Sequence, residues 1–183
     1  MRSVVLAAVR CLVLAAVVPA AGCAGGGRSS EARVVAAGVR ADVIDTTGAS
    51  IGGASLLDSR SGTVLVLKLK RVPPGTHGLH VHETGACDPP AFTSAGPHLN
   101  PSNRKHGARN PDGPHAGDLP NVHARPDSTV DTTLTLRGEL LGPGVLGAGA
   151  PPRALVLHAN ADDLVTDPSG NSGARIACGI LRR

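Results

Sequence analysis

From Arg33 onward the apolar residues come in short β-branched or aliphatic runs separated by Gly, Pro, Asp and Asn. No long stretch carries the 3.6-residue spacing of an amphipathic helix. Alternation is clearest over Thr63–Arg71, where Leu65, Leu67 and Leu69 share one side and Val66, Lys68 and Lys70 the other. One face of that segment is therefore buried and the other at least partly wet. The pattern predicts strands over Val34–Ile44, Ser50–Asp58, Thr63–Arg71, Gly78–Glu83, Thr132–Leu140, Ala154–Asn160 and Arg175–Leu181. Short strands at this density point to an all-β domain, a Greek-key β-sandwich or flattened barrel of about eight strands. No internal repeat is visible.

Between Thr84 and Val130 the pattern fails. This stretch is rich in Pro, Asn, Asp, Gly and His and poor in apolar residues, so an ordinary core cannot hold it. An insertion of that length is usually functional or disordered. Its His and Asp content suggests that a metal ion orders it.

Residues 1–22 read as an export signal, with Arg2 as the positive start, a mostly apolar Val4–Val18 and small residues leading to Cys23. The apolar stretch, broken by Arg10, is shorter than the roughly 20 residues that span a bilayer. Ala20-Ala21-Gly22-Cys23 resembles a bacterial lipobox, so Cys23 is the expected lipid site and residues 23–32 a flexible tether. The folded domain is expected over 33–183. This places the protein outside the cytoplasm, in the cell envelope, anchored by lipid to the outer face of the cytoplasmic membrane.

Composition narrows the partners. The formal charge is +4, falling to +2 once Arg2 and Arg10 leave with the signal, and Phe92 is the one aromatic residue. Neither a polyanion site nor a stacking platform for nucleic acid fits that. With Cys11 in the signal and Cys23 lipidated, Cys87 and Cys178 are the remaining thiols, and export favours a disulfide between them over two buried free cysteines. Closing that loop of 91 residues removes roughly 4–5 kcal/mol of denatured-state freedom in the chain-entropy view.

Of the eight histidines, six lie between His77 and His115. Gly78-Leu79-His80-Val81-His82 sets two imidazoles on one face of a strand, roughly 7 Å apart. His98, His106 and His115 follow, with Asp118 three residues after the last. Three imidazoles and a carboxylate make a tetrahedral zinc set. His158 ends an aliphatic run, and with His80, His82 and one loop imidazole it would complete an all-nitrogen site suited to copper(II). The bland alternatives are a polar strand face and a solvated His-rich loop.

Several segments together resemble one family. They are Gly78–His82, Ser94-Ala95-Gly96-Pro97-His98-Leu99-Asn100-Pro101, Lys105-His106-Gly107, His115-Ala116-Gly117-Asp118-Leu119-Pro120-Asn121-Val122, Leu157–Asp163 and Gly170–Gly179. Together they look like the metal-binding segments of copper,zinc superoxide dismutases, of the bacterial exported type. The resemblance runs over about residues 34–181. It implies His80, His82, His98 and His158 as copper ligands and His98, His106, His115 and Asp118 as zinc ligands, so that the His98 imidazolate is shared. It further implies that Asp162 orients one ligand of each metal, that Arg175 receives the anion, and that Cys87 pairs with Cys178. Arg175 and His98 are then the catalytic residues, superoxide the substrate, and Cu and Zn the cofactors. The segment from His158 to Arg175 is short and lacks lysines that would guide an anion, and the absence of Tyr and Trp leaves the homodimer question open. The competing readings are a non-catalytic dismutase-like metal-binding protein of the envelope and, more weakly, an adhesive β-sandwich.

Overall fold

The structure, a computed structural model, describes residues 38–136, 140–142 and 145–183. The proposed signal, Cys23 and the tether lie outside these residues. Nine strands run in chain order: β1 Val39–Asp45, β2 Ser50–Ser59, β3 Gly62–Leu69, β4 Gly75–His77, β5 Leu79–His82, β6 Val122–Ala124, β7 Val130–Leu136, β8 Arg153–His158 and β9 Arg175–Leu181. The helical element among the described residues is a single 3-10 turn, Thr93–Ala95.

Seven strands form one curled antiparallel sheet in the order β5-β8-β9-β1-β2-β3-β7, and β4 pairs with β6 in a small second sheet. The chain neighbours β1, β2 and β3 are joined by tight turns, whereas β7 returns beside β3 and β8 beside β5. These long returns are the Greek-key connections. The alternation in β3 does what its sequence requires: Leu65, Leu67 and Leu69 enter the core and Lys68 faces water.

The long segment after Thr84 corrects one expectation. It is not held by metal chemistry alone, because it contributes β6 and places Leu99, Leu119, Val122 and Ala124 in the main core. Phe92 and Ala95 fill a second core with Ala154, Val156 and Cys178. Cys87 and Cys178 are bonded with their Cα atoms 5.7 Å apart, which ties this segment to β9. Residues Val34–Arg183 form a compact unit containing both cores and the disulfide.

Candidate metal centre

Strand β5 is buried on both faces. Its period of two sends Leu79 and Val81 into the barrel and His80 and His82 to the opposite face. The strand lies at the sheet edge, and the loop supplies its missing partners. Val81 N–H donates to Gly117 O (2.9 Å), Leu99 N–H to Val81 O (2.8 Å) and Leu119 N–H to Leu79 O (3.2 Å). This pairing sets His98 opposite His82 and Asp118 opposite His80. Gly117 makes the approach feasible, since a Cβ there would stand 2.2 Å from Val81 O.

His80, His82, His98 and His158 each offer a nitrogen within 4.8 Å of the others. In every ring the second nitrogen is already engaged. His80 Nε2 is 2.7 Å from Asp162 Oδ2, His82 Nδ1 donates to Gly96 O (2.8 Å), His158 Nδ1 donates to Gly173 O (3.2 Å), and His98 Nδ1 is 3.0 Å from Asp118 Oδ1. The free nitrogens turn toward one another. His158 Nε2 and His82 Nε2 are 3.4 Å apart, and His80 Nδ1 and His98 Nε2 are buried with no hydrogen-bond partner. An unpaired buried polar atom costs roughly 1–3 kcal/mol, so several lone pairs facing one point call for a cation. Burial pushes His82 down to about 2 and His158 down to about 3, which keeps both rings neutral and their lone pairs available. A set of four imidazoles suits copper.

The second cluster is His98, His106, His115 and Asp118. The Nδ1 atoms of the three rings lie 3.0, 3.1 and 3.2 Å from the same oxygen, Asp118 Oδ1. Zinc bonds of about 2.0–2.1 Å imply tetrahedron edges of roughly 3.3–3.4 Å, close to these separations. His106 Nδ1 has no hydrogen-bond alignment with that oxygen and is otherwise unpaired, as a lone pair meant for a cation would be. The other carboxylate oxygen, Oδ2, accepts from Gly107 N–H (2.9 Å) and His115 N–H (3.0 Å). Burial alone would raise the Asp118 pKa, but the nearby His106 ring and the hydrogen bonds from His98 and Gly107 outweigh it and hold the carboxyl well below the usual range. Burial likewise opposes protonation of His106, yet Asp118 and Asp162 raise it to about 9.

Asp162 joins the two clusters, with Oδ2 on His80 Nε2 and Oδ1 3.0 Å from His106 Nε2. It is held in turn by Asn121, whose amide donates to Asp162 O (2.8 Å) and accepts from Asp162 N–H (2.8 Å). Gly170, at φ +65°, closes over this carboxylate; a Cβ there would sit 1.9 Å from Asp162 Oδ1. Asp167 accepts from His106 N–H (2.8 Å) and Lys105 Nζ (3.0 Å), pinning the loop from the other side. His77 is buried with Nδ1 2.8 Å from His158 O and Nε2 2.7 Å from Pro73 O. Asp162 stands where the resemblance implies, on one ring of each cluster, whereas the roles of Asn121, Gly170, Asp167 and His77 cannot be read from residue order. Asn121 and Gly170 stand inside motifs quoted above, but backbone pairing and close approach leave no mark in residue type.

Arg175 donates from Nη1 to Phe92 O (2.7 Å) and from Nη2 to Gly96 O (2.7 Å). Gly96 O also accepts from His82, so one carbonyl orients both the guanidinium and an imidazole. Burial lowers the Arg175 pKa, but from a starting value that leaves it cationic at neutral pH. The structure thus brings together every described residue singled out above as a ligand or orienting group.

A Greek-key barrel carrying a four-imidazole cluster and a three-imidazole, one-carboxylate cluster with one shared ring is a scaffold for two adjacent metal ions. The sequence matches the copper/zinc superoxide dismutase (SODC) family over residues 51–181. It is 42% identical over 151 residues to superoxide dismutase [Cu-Zn] 1 of Aquifex aeolicus, covering 78% of this chain and 86% of that one. Identity to the superoxide dismutase [Cu-Zn] of Caulobacter vibrioides is 38% over 141 residues, covering 74% of this chain and 80% of that protein. The crystal structure of a double mutant of a SOD-like protein from Bacillus subtilis superposes with a TM-score of 0.72 at 38% identity, covering 79% of this chain and 97% of that one. The chain belongs to the copper/zinc superoxide dismutase family.

Proposed function

We propose that this protein converts two superoxide anions and two protons into dioxygen and hydrogen peroxide, with His80, His82, His98 and His158 holding copper and His98, His106, His115 and Asp118 holding zinc. The observation that carries the reading is the convergence of unpaired, buried imidazole nitrogens on two adjoining points that share His98. When bound, copper supplies a one-electron redox couple and zinc a redox-inert charge.

The chain's own residues do the rest. Arg175 attracts the anion and hydrogen-bonds it, its orientation set by the Phe92 and Gly96 carbonyls. His98 Nε2 is the atom that takes up and returns a proton, because Nδ1 of the same ring is committed toward Asp118. Asp162 fixes the His80 and His106 rings, so that electron transfer meets a site that needs little rearrangement.

The same reading places the mature protein in the envelope, exported by residues 1–22 and anchored through diacylated Cys23. Steady-state superoxide consumption by the copper- and zinc-loaded protein tests the activity. His158→Ala is expected to lower it to the rate of free solution, and an equal rate in wild type and variant would refute the assignment. Membrane fractionation of Cys23→Ser, expected to release the protein, tests the anchor separately.

A further inference from the structure

Away from the metal centre, the outer face of β1, β2 and β9 holds a groove of about 850 Å³ lined by Arg40, Arg182, Arg183, Leu57, Ile44 and Ile180, with Gly38 and one acid, Asp42, also at its wall. Arg40 and Arg182 exchange both backbone hydrogen bonds, at 2.7 and 2.8 Å, so they are directly opposed and their side chains share a face. Like charges in that position repel. Lys68, Arg71 and Lys105 each meet an acid, Asp131, Asp45 and Asp167, whereas Arg60, Lys70, Arg104, Arg109 and Arg125 stand singly and exposed at scattered positions. Among the described residues the three groove arginines, all exposed, also lack an ion pair, and they differ from the scattered ones in lining one groove, two of them directly opposed. This is an arrangement that an outside anion would relieve.

We infer that this groove is a docking face for the anionic phospholipid headgroups of the membrane to which the protein is tethered. The inference rests on the Cys23 anchor proposed above and says how the anchored domain stands. Arginine matches phosphate geometry with paired donors, and the half-buried Leu57, Ile44 and Ile180 offer apolar contact beside it. Gly38 lies fifteen positions after Cys23, a length of chain that reaches at most roughly 50 Å. The groove therefore begins where the tether enters the domain. Three arginines at about 1 kcal/mol each bind a surface weakly, but a tether keeps the surface at high local concentration, and weak docking then suffices.

Docking would also orient the enzyme. Arg175 opens β9 and Arg182 follows its last residue, so seven residues, roughly 23 Å of strand, separate the anion-receiving arginine from the docking arginine. The metal centre would face away from the bilayer, toward superoxide arriving from outside.

The test uses the metal-loaded Val34–Arg183 unit, which lacks Cys23, with vesicles of phosphatidylcholine with and without phosphatidylglycerol at millimolar lipid and low salt. Sedimentation with the phosphatidylglycerol vesicles alone, lost on adding salt, is the expected result. Arg40→Ser combined with Arg182→Ser should weaken that binding about 30-fold while melting temperature and dismutase rate in solution stay unchanged. Arg125→Ser, with its arginine in the turn after β6, should bind as wild type. Undiminished binding by the double variant, equal binding to neutral vesicles, or no binding at all would overturn the inference. So would a double variant that changes the oligomeric state and not lipid binding, since a second copy would then be the occupant. Because the unit carries no lipid site, these outcomes are independent of whether Cys23 is acylated.

Discussion

The two halves of the metal centre are built differently. Three of the four imidazoles of the all-imidazole cluster stand on strands, His80 and His82 in β5 and His158 at the end of β8, while all four groups of the cluster containing Asp118 come from the loop after Thr84. The first set is placed by continuous sheet pairing, by the Gly96 and Gly173 carbonyls that hold His82 and His158, and by the Asp162 carboxylate on His80. The second is placed by a few backbone bonds to β5, by Leu99 and Leu119, and by mutual contacts of the ligands themselves. The all-imidazole pocket, proposed above for copper, is thus largely a property of the barrel, whereas the Asp118 cluster, proposed for zinc, and the order of its loop depend on each other.

The strongest way to break that contrast is Asp118→Ala, which removes the oxygen common to three rings. Zinc content should fall to background and loop proteolysis should rise at least about tenfold, while far-ultraviolet circular dichroism retains the β signature. If the barrel unfolded as well, the two halves would not be separable.

Gly170→Ala attacks the bridge between the halves. Its Cβ has no room beside Asp162 and the glycine sits at positive φ, so about 2–3 kcal/mol of destabilisation is expected, or roughly 5–10 °C in Tm. Both metal affinities should weaken together. A loss confined to one metal would show that Asp162 does not couple them.

Arg175→Ala leaves both clusters intact and should lower turnover about tenfold, with a weaker dependence on ionic strength and unchanged metal content. An unaltered rate would remove its role in receiving the anion.

The smallest effect sharpens the contrast by pH. In the metal-free protein His82 and His158 have pKa values depressed to about 2 and about 3, below the ordinary 6.5, so the unfolded chain binds protons that the native state refuses. Their contribution is complete above about pH 6.5 and is lost as pH falls toward 3. His106, raised to about 9, has the opposite sign: its contribution is complete below about 6.5 and is lost as pH rises through 9. Stability of the metal-free protein should therefore peak near pH 6.5, with Tm falling by roughly 5–10 °C per pH unit on the acid side and less on the alkaline side. Thermal melts across this range check it. The alkaline fall should vanish when zinc replaces the proton on the His106 side, and its persistence in the metal-loaded protein would count against that exchange.

Much of this architecture is legible in the residue pattern alone. Alternating Leu65, Leu67 and Leu69 announce a one-sided strand, and β2, β3 and β9 fall within a residue or two of their expected limits. The ligand spacing from His98 through Asp118 announces a closed tetrahedral set because metal chemistry restricts both residue type and geometry. What is not legible is the short β4–β6 sheet, for which neither segment is long enough to show a period. Likewise the helpers Asn121, Asp167, Gly170 and His77 act through backbone groups at long range.

By itself, then, the order of residues determined that strands would form, that imidazoles would sit on one face of β5, and which side chains have the chemistry to hold two ions, since period and donor type are local properties. The tertiary structure decided which nitrogen of each ring stays free, that His98 stands between the two clusters, and that three arginines gather on one outer face of the barrel. Those depend on distances between segments far apart in the chain, and such distances are set by the packing of the whole barrel.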